Sequence, residues 1–335
     1  MAGWQSKSLG DIAQFINGLW KGEEPPLVHV GVIRNTNFTK DGALNDTDIA
    51  YLDVEAKKFQ KRRLQFGDLI LEKSGGGPKQ PVGRVVLFDK TEGDFSFSNF
   101  TAAIRIVDPA ALDSKFLHKY LHWVYVSGRT EAMQSHSTGI RNLNGDAYKA
   151  IEVAYPSLPE QQRIVAILDE AFEGIAIAKA NAEKNLQNAR MLFISHLQSS
   201  YHQQGEGWTS SRIANIAKHS LGKMLDKAKN RGDLKPYLRN LNVRWFDFDL
   251  SDVQEMKFTP EESDKYTAIK GDVLICEGGY PGRCAIWEDD EPIYFQKALH
   301  RVRFHNPLHS KWFVNYLYLM DQTGDLKMHF SGTGI

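Results

Sequence analysis

Apolar residues in the middle of the chain recur at alternating steps of three and four positions. This spacing places them on one face of an α-helix. Ser157 and Glu160 have the spacing of a capping box, and Pro159 suits the first turn of a helix. The pattern predicts a helix over about 158–200, and ~40 residues at 1.5 Å each would make it roughly 60 Å long. The apolar face comprises Ile164, Ile167, Leu168, Ala171, Ile175, Ala178, Ala182, Leu186, Ala189, Phe193 and Leu197.

A face this long and narrow is typical of a helix that packs against a partner helix. The alanines on it would permit a close approach. We therefore predict a spacer or docking helix, and an ordinary long helix packed on its own domain is the alternative. The predicted docking residues are Ile164, Ile167, Ala171, Ile175, Ala178, Leu186 and Phe193.

On the N-terminal side of this helix, short apolar runs alternate with glycine-rich turns. "LVHVGVIR" (27–34), "DLILEK" (68–73), "VGRVVLF" (82–88) and "AAIRIV" (102–107) are typical of strands, and "SKFLHKYLHWVYVSG" (114–128) is typical of a helix. This mixture predicts an α+β domain with a mixed sheet plus helices, in which a substantial part of the sheet is antiparallel or barrel-like.

The chain contains an internal duplication. Each copy covers about 130 residues, the size of an ordinary domain. We predict domains at 1–155 and 206–335, with the helix in 156–205 between them. Two related domains, held apart by a rod slightly shorter than two turns of B-DNA, could bind two separate half-sites on one duplex. Matching landmarks are Gly3-Trp4 with Gly207-Trp208, Gly67-Asp68 with Gly271-Asp272, "AAIRIVDP" (102–109) with "LHRVRFHNP" (299–307), "SKFLHKYL" (114–121) with "SKWFVNYL" (310–317), and "HSTGI" (136–140) with "FSGTGI" (330–335).

Composition narrows the class of protein. The 335 residues are 42% hydrophobic, which suffices for two domains with cores. Lys plus Arg and Asp plus Glu both number 41, so a histone-like coat of positive charge is excluded, although a local basic face is not. The two cysteines indicate neither a disulfide framework nor a thiolate zinc site. Without a signal peptide or an apolar run of membrane-spanning length, a cytoplasmic protein is expected.

Basic and amide side chains follow a predicted strand in both copies. Arg and Asn can each form paired hydrogen bonds with base edges in the major groove of DNA, and lysines can bind phosphates. A solvated charged surface is the alternative for each run taken singly. The predicted DNA contacts here are Arg34, Asn35, Asn37 and Lys40 in the first copy, and Arg239, Asn240, Asn242 and Arg244 in the second.

A glycine-rich loop recurs at 74–83 and 277–283 with different side chains. It has neither a P-loop ending nor a GxGxxG pattern, so nucleotide binding is not indicated. A loop that is retained while its side chains change favours a recognition surface, and a plain turn is the alternative. The predicted contacts are Lys73, Ser74, Lys79 and Gln80 in the first copy, and Tyr280 and Arg283 in the second.

Catalytic patterns are weak. Asp252, Glu255 and Lys257 could hold a metal as in a nuclease, but the pattern is short and has no equivalent in the first copy. His118 and His122 have helical metal-ligand spacing without a third ligand, so we favour ordinary histidines. Methyltransferase and hydrolase motifs are missing. We predict a non-catalytic protein that needs no cofactor or metal.

Several segments together resemble the specificity subunit of type I restriction–modification enzymes. They are "LPEQQRIVAILDEAF" (158–172), "TGIRNLN" (138–144) with "GTGI" (332–335), "EKSGGGPKQPVGRVVLF" (72–88) and "YLRNLNVRW" (237–245). The resemblance extends over essentially the whole chain.

The resemblance implies two target recognition domains that bind the halves of a bipartite double-stranded DNA sequence. It also implies that the helices dock two methyltransferase subunits, with a restriction subunit in the full complex. Such proteins normally have a second long helix after the second recognition domain. Because the sequence ends at Ile335, we expect a truncated or naturally shortened form, with homodimerisation through the central helix as a hypothesis. The alternatives are a metal-dependent nuclease and a tandem-repeat interaction module that does not bind DNA.

Overall fold

A computed structural model describes residues 3–19, 24–77, 80–137, 140–203, 205–226 and 228–330. The chain divides into two compact units, 1–179 (the first unit) and 180–335 (the second unit). The boundary falls inside the long helix, so the predicted three-part division at 155 and 205 stays a prediction. None of the described helices is both long enough and apolar enough to span a membrane.

The described residues of the first unit form twelve strands, four complete α-helices and the first half of a fifth. The strands are β1 (Gln5–Ser8), β2 (Ala13–Asn17), β3 (Leu27–Ile33), β4 (Ala50–Glu55), β5 (Leu69–Glu72), β6 (Ser74–Gly76), β7 (Val85–Leu87), β8 (Phe95–Phe97), β9 (Thr101–Ile106), β10 (Gln134–Ser137), β11 (Ile140–Leu143) and β12 (Glu152–Tyr155). The helices are α1 (Leu9–Ile12), α2 (Ala56–Arg62), α3 (Ser114–Val126), α4 (Gly145–Lys149) and α5 (Leu158–His202), of which α5 continues into the second unit.

The centre of the first unit is an antiparallel sheet of order β2-β9-β5-β7. Alternation along β5 directs Leu69 and Leu71 to a core shared with α3, and Ile70 to a second core shared with Ile33 and Phe97. The second core belongs to a sheet of order β4-β3-β8, in which β3 and β8 run parallel. Two smaller sheets, β1-β12 and β10-β11-β6, complete the unit, so its sheets are mixed rather than purely antiparallel.

The second unit repeats this arrangement. A sheet of order β13-β20-β17-β18 packs against α8, and a sheet of order β15-β14-β19-β16 again contains one parallel pair, β14 with β19. The strands are β13 (Ala217–Leu221), β14 (Asp233–Leu238), β15 (Gln254–Phe258), β16 (Thr267–Ala268), β17 (Val273–Cys276), β18 (Cys284–Ile286), β19 (Ile293–Phe295) and β20 (Leu299–Phe304). The helices are α6 (Ile213–Ile216), α7 (Ser263–Tyr266) and α8 (Leu308–Thr323).

The Gly-Asp dipeptide that recurs in the sequence has the same structural function in both units. Asp68 accepts the Gln65 backbone N–H at 2.8 Å and forms a paired contact with Arg105, at 2.8 and 2.7 Å. Asp272 accepts the Ile269 N–H at 2.8 Å and pairs with Arg303. The hydrogen bonds that the two arginines donate to these carboxylates raise the pKa of both guanidinium groups. Each pair joins the turn before the central strand to the neighbouring strand.

The long helix α5 starts where the sequence predicts. The carbonyl of Ser157 accepts the N–H groups of Glu160 and Gln161, both at 3.0 Å, while the Glu160 carboxylate binds Arg163 rather than forming a capping box. The side chain of Gln161 is fully buried and bonds to Ala111, Asp113 and Pro156 backbone atoms. These contacts attach the first turn of α5 to the first unit.

Candidate nucleic-acid interface

The predicted contact segment of the first unit begins where β3 leaves the sheet. Ile33 is fully buried, and the next residue, Arg34, opens a 3-10 turn over Asn35–Asn37. The Arg34 backbone N–H donates to Asn37 Oδ1 at 2.9 Å, and Asn37 Nδ2 donates to the carbonyls of Asp48 (2.9 Å) and Asn45 (3.3 Å). The Asn37 side chain therefore closes the turn from inside.

The same turn follows β14 in the second unit. The Arg239 N–H donates to Asn242 Oδ1 at 2.9 Å, and Asn242 Nδ2 donates to the carbonyls of Asp249 (2.9 Å) and Asp252 (3.0 Å). Asn37 is 1% exposed and Asn242 is 2% exposed. In the described conformation both amides are thus used to hold the turn and do not face outward, contrary to the expectation that they are available to bases.

The arginine at the start of each turn is anchored by an aspartate. Arg34 Nη2 lies 3.3 Å from Asp48 Oδ2, and Arg239 Nη2 lies 2.8 Å from Asp252 Oδ2. The hydrogen bond from Arg239 lowers the pKa of Asp252. Each aspartate thereby orients the guanidinium group of the arginine that begins the turn.

A second arginine lies behind the first turn. Arg84 makes a paired contact with the fully buried Glu72, at 2.7 and 2.9 Å, and donates to the carbonyls of Phe38 (2.9 Å) and Asn35 (3.1 Å). Asn35 Nδ2 also reaches Glu72, at 3.4 Å. Arg84 is therefore neutralised within the protein and supports the turn.

The second unit has an arginine without such a carboxylate. Arg283 Nη2 donates to the Asn240 carbonyl at 3.1 Å, and its guanidinium carbon lies 5.1 Å from the ring centroid of Tyr280. The Tyr280 hydroxyl donates to Asp321 at 3.0 Å, and Asn240 Nδ2 donates to the Gly278 carbonyl at 2.9 Å. These contacts bring the predicted residues of the turn and the glycine-rich loop together.

An open pocket of about 380 Å³ lies between this turn and loop. Arg244 at its edge is exposed and bonds to Asp249 at 3.0 Å. The lining contains three arginines and two aspartates, which suits a charged ligand group. The lining residues are Arg239, Leu241, Asn242, Arg244, Asp249, Ser251, Asp252 and Arg283.

The remaining predicted contacts of the first unit differ in exposure. Lys40 and Gln80 are exposed. Lys73 is half-buried and donates to Asn17 Oδ1 at 2.8 Å, and burial lowers its pKa. Ser74 donates to Asn142 Oδ1 at 2.6 Å, so it joins the loop to β11. The predicted contact Lys79 lies outside the described residues.

The residues of the predicted nuclease do not form a metal centre. Asp252 is bonded to Arg239, as described above, and to Gln254 at 2.6 Å. Among the described residues, no group of three His, Cys, Asp or Glu side chains could hold a metal ion. His118 contacts the carbonyl of Gly42 at 2.9 Å and lies largely within the packed unit, and burial lowers its pKa.

The predicted docking face on α5 is mostly exposed. Ile167, Ile175 and Leu186 are 50%, 64% and 54% exposed, whereas Ile164 packs partly against the first core. Ala171 and Ala178 are exposed as well. Phe193 contacts the rings of Phe246 and Tyr318 within the second unit, at 6.3 and 6.0 Å between centroids. An apolar stripe therefore remains uncovered in the middle of the helix.

Comparison with known families shows which family the chain belongs to. Residues 1–188, more than half of the sequence, match the family model described as "Type I restriction modification DNA specificity domain". The chain belongs to this specificity-domain family. The match includes β1 to β12 and the first two thirds of α5.

One individual relative agrees with this family membership. The chain is 27% identical over 168 residues to a Haemophilus influenzae protein named type I restriction enzyme specificity subunit S.HindORF215P. That alignment covers 47% of this chain and 40% of the relative, so the chain spans less than half of that relative's length.

Two solved structures share the fold. One, described as "Structural basis underlying complex assembly and conformational transition of the type I R-M system", aligns over 100% of this chain and 83% of its own with a TM-score of 0.70 at 15% identity. The HsdS subunit from Thermoanaerobacter tengcongensis aligns over 96% and 81%, with a TM-score of 0.62 at 14% identity. They confirm the predicted fold class, with two α+β regions and a long helix between them along the chain.

The site contains residues outside the predicted set, among them Asp48, Glu72 and Arg84. Glu72 and Arg84 lie next to the predicted loop, and their ion pair is buried. The recurrence of Gly-Arg at 83–84 and 282–283 in both copies is the sequence signal that could have indicated Arg84.

Proposed function

We propose that this chain is the DNA-recognition subunit of a type I restriction–modification complex. In this proposal the two units each bind one half of a bipartite double-stranded DNA target, and the chain itself performs no catalysis. Membership of the specificity-domain family supports the general role. The turn that begins with an arginine recurs in both units, which supports DNA binding by each of them.

The observation that carries the proposal is the shared construction of the two turns. In each, a buried asparagine closes the turn and an aspartate directs the leading arginine, as Asn37 and Asp48 do for Arg34. A scaffold of this kind holds a guanidinium group in one orientation, which bidentate base recognition requires. The contacts we propose are Arg34, Asn35, Lys40, Lys73, Ser74, Lys79 and Gln80 in one half and Arg239, Asn240, Arg244, Tyr280 and Arg283 in the other.

The proposed protein partners are two methyltransferase subunits and, in the full complex, a restriction subunit. The uncovered apolar stripe around Ile167 and Ile175 is the surface we assign to docking. An exposed stripe of this length on a charged helix is typical of a helix–helix interface. A second copy of this chain is the alternative occupant of the same stripe.

The proposal is tested by co-expressing the chain with a type I methyltransferase subunit and sequencing the methylated positions of the host DNA. Methylation at a split motif with a fixed gap is expected. Methylation at one palindromic motif would indicate that a single unit reads DNA within a homodimer. An absence of new methylation, although the two proteins co-purify, would contradict the proposed role.

A further inference from the structure

Arg84 and Arg283 occupy the same backbone position in the two units but have different surroundings. The N–H of Glu72 donates to the Arg84 carbonyl, and the Gly83 N–H donates to the Glu72 carbonyl, at 2.8 and 2.9 Å. In the second unit, Cys276 exchanges the corresponding bonds with Arg283 and Gly282, both at 2.8 Å. Cys276 therefore stands where the first unit has its buried glutamate.

This exchange leaves the charge of Arg283 uncompensated. Burial raises the pKa of the Cys276 thiol, which keeps it uncharged at neutral pH. No carboxylate of the described residues forms an ion pair with Arg283, whereas Arg239 and Arg244 each have one. An external anion that reaches its guanidinium group would therefore be stabilised by a charge that the protein does not match.

The pocket beside Arg283 has an excess of positive charge. Its other two arginines, Arg239 and Arg244, are each paired with one aspartate, Asp252 and Asp249. The third guanidinium group therefore gives the lining one unmatched positive charge. In the first unit the two corresponding arginines, Arg34 and Arg84, are each paired with a carboxylate, Asp48 and Glu72.

We infer that the pocket around Arg283 binds one phosphodiester group of the DNA backbone, and that Arg84, at the corresponding position of the first unit, does not. The inference rests on the proposed function. A guanidinium group matches the geometry of phosphate oxygens and can bind them through two parallel hydrogen bonds. The contacts of Arg283 with the Asn240 carbonyl and the Tyr280 ring hold its head group in place, as a phosphate contact that fixes register requires.

The first unit supplies the design of the test. Cys276→Glu would place a carboxylate beside Arg283, as Glu72 lies beside Arg84, and would compete with phosphate. Glutamine has nearly the same size as glutamate but carries no charge, so Cys276→Gln is the matched control. Arg283→Gln removes the guanidinium group and leaves the buried strand β17, which contains Cys276, unchanged. Circular dichroism and thermal unfolding of each full-length variant check that it is folded.

Affinity is measured by fluorescence anisotropy with a mixed-sequence 40-base-pair duplex over a series of KCl concentrations. For Cys276→Glu and Arg283→Gln we expect about tenfold weaker binding at low salt and a log–log salt slope that is shallower by about 0.9, the value for one phosphate contact. Cys276→Gln should retain the wild-type slope.

Two results would overturn the inference while leaving the proposed function intact. One is a wild-type slope for Arg283→Gln in a protein that binds the duplex. The other is equal weakening by Cys276→Glu and Cys276→Gln, which would assign the effect to packing. If the wild-type chain does not bind the duplex at any salt concentration, then DNA recognition by the isolated chain and the phosphate site both fail.

Discussion

Asn37 and Asn242 lie at the centre of the proposed site without facing outward. The Asn37 side chain makes three hydrogen bonds to backbone atoms while 1% exposed. Asn37→Ala would leave these buried groups unpaired, so we expect a loss of about 2–3 kcal/mol in the free energy of unfolding of the first unit. Asn37→Asp should be at least as damaging, because a carboxylate would face two carbonyl oxygens. Urea unfolding, with hydrogen exchange at the Arg34 amide, measures both, and the exposed Lys40→Ala is the control.

A different result would change the assignment of this residue. If Asn37→Ala unfolds like the wild type but loses affinity for one half-site, the side chain reads DNA and the turn is held by other contacts. The sequence singles out this segment because an arginine and asparagines recur after a strand in both copies. It could not separate the buried amide of Asn37 from the half-buried amide of Asn35, because the bonds to Asp48 and Asn45 depend on how the following loop folds back.

At the scale of elements, the exposed stripe on α5 carries the docking prediction. Changing both Ile167 and Ile175 to Asp would place charges on a surface that a partner must desolvate. We expect loss of co-purification with the methyltransferase subunit while the circular dichroism spectrum stays unchanged, because both side chains are at least half exposed. Gln187→Asp, on the opposite side of the helix, is the control. Retained assembly by the double variant would place the docking surface elsewhere.

The elements themselves differ in how far their sequence patterns identify them. Helix α5 was predicted over about 158–200 and extends over Leu158–His202, since its period persists for many turns. The parallel pairing of β3 with β8 was not predicted, because Phe95–Phe97 is only three residues long and register depends on distant partners. The ion pair of Glu72 with Arg84 was not predicted for a related reason. The two side chains meet only when β5 pairs with β7, which the sequence pattern does not specify.

At the scale of the whole molecule, duplication predicts that the two units contribute separately to DNA recognition. Arg34→Ala should weaken binding to one half-site only, and Arg239→Ala to the other, each by about 1–3 kcal/mol if the guanidinium group contacts a base. Independent sites should give additive losses in the double variant. The measurement is competition between duplexes that carry either half-site altered, after methylation sequencing has defined the motif.

The set of DNA sequences for which affinity is lost distinguishes a contact with a base from a contact with the DNA backbone. A loss confined to duplexes with one intact half-site assigns the arginine to a base within that half. A loss of equal size on every sequence assigns it to phosphate, as we infer for Arg283, and would move sequence reading to other exposed residues of the turn or loop. Because Arg34 and Arg239 have the same anchoring by an aspartate, we expect the two variants to behave alike. Opposite behaviour would mean that the shared turn supports two different modes of DNA contact.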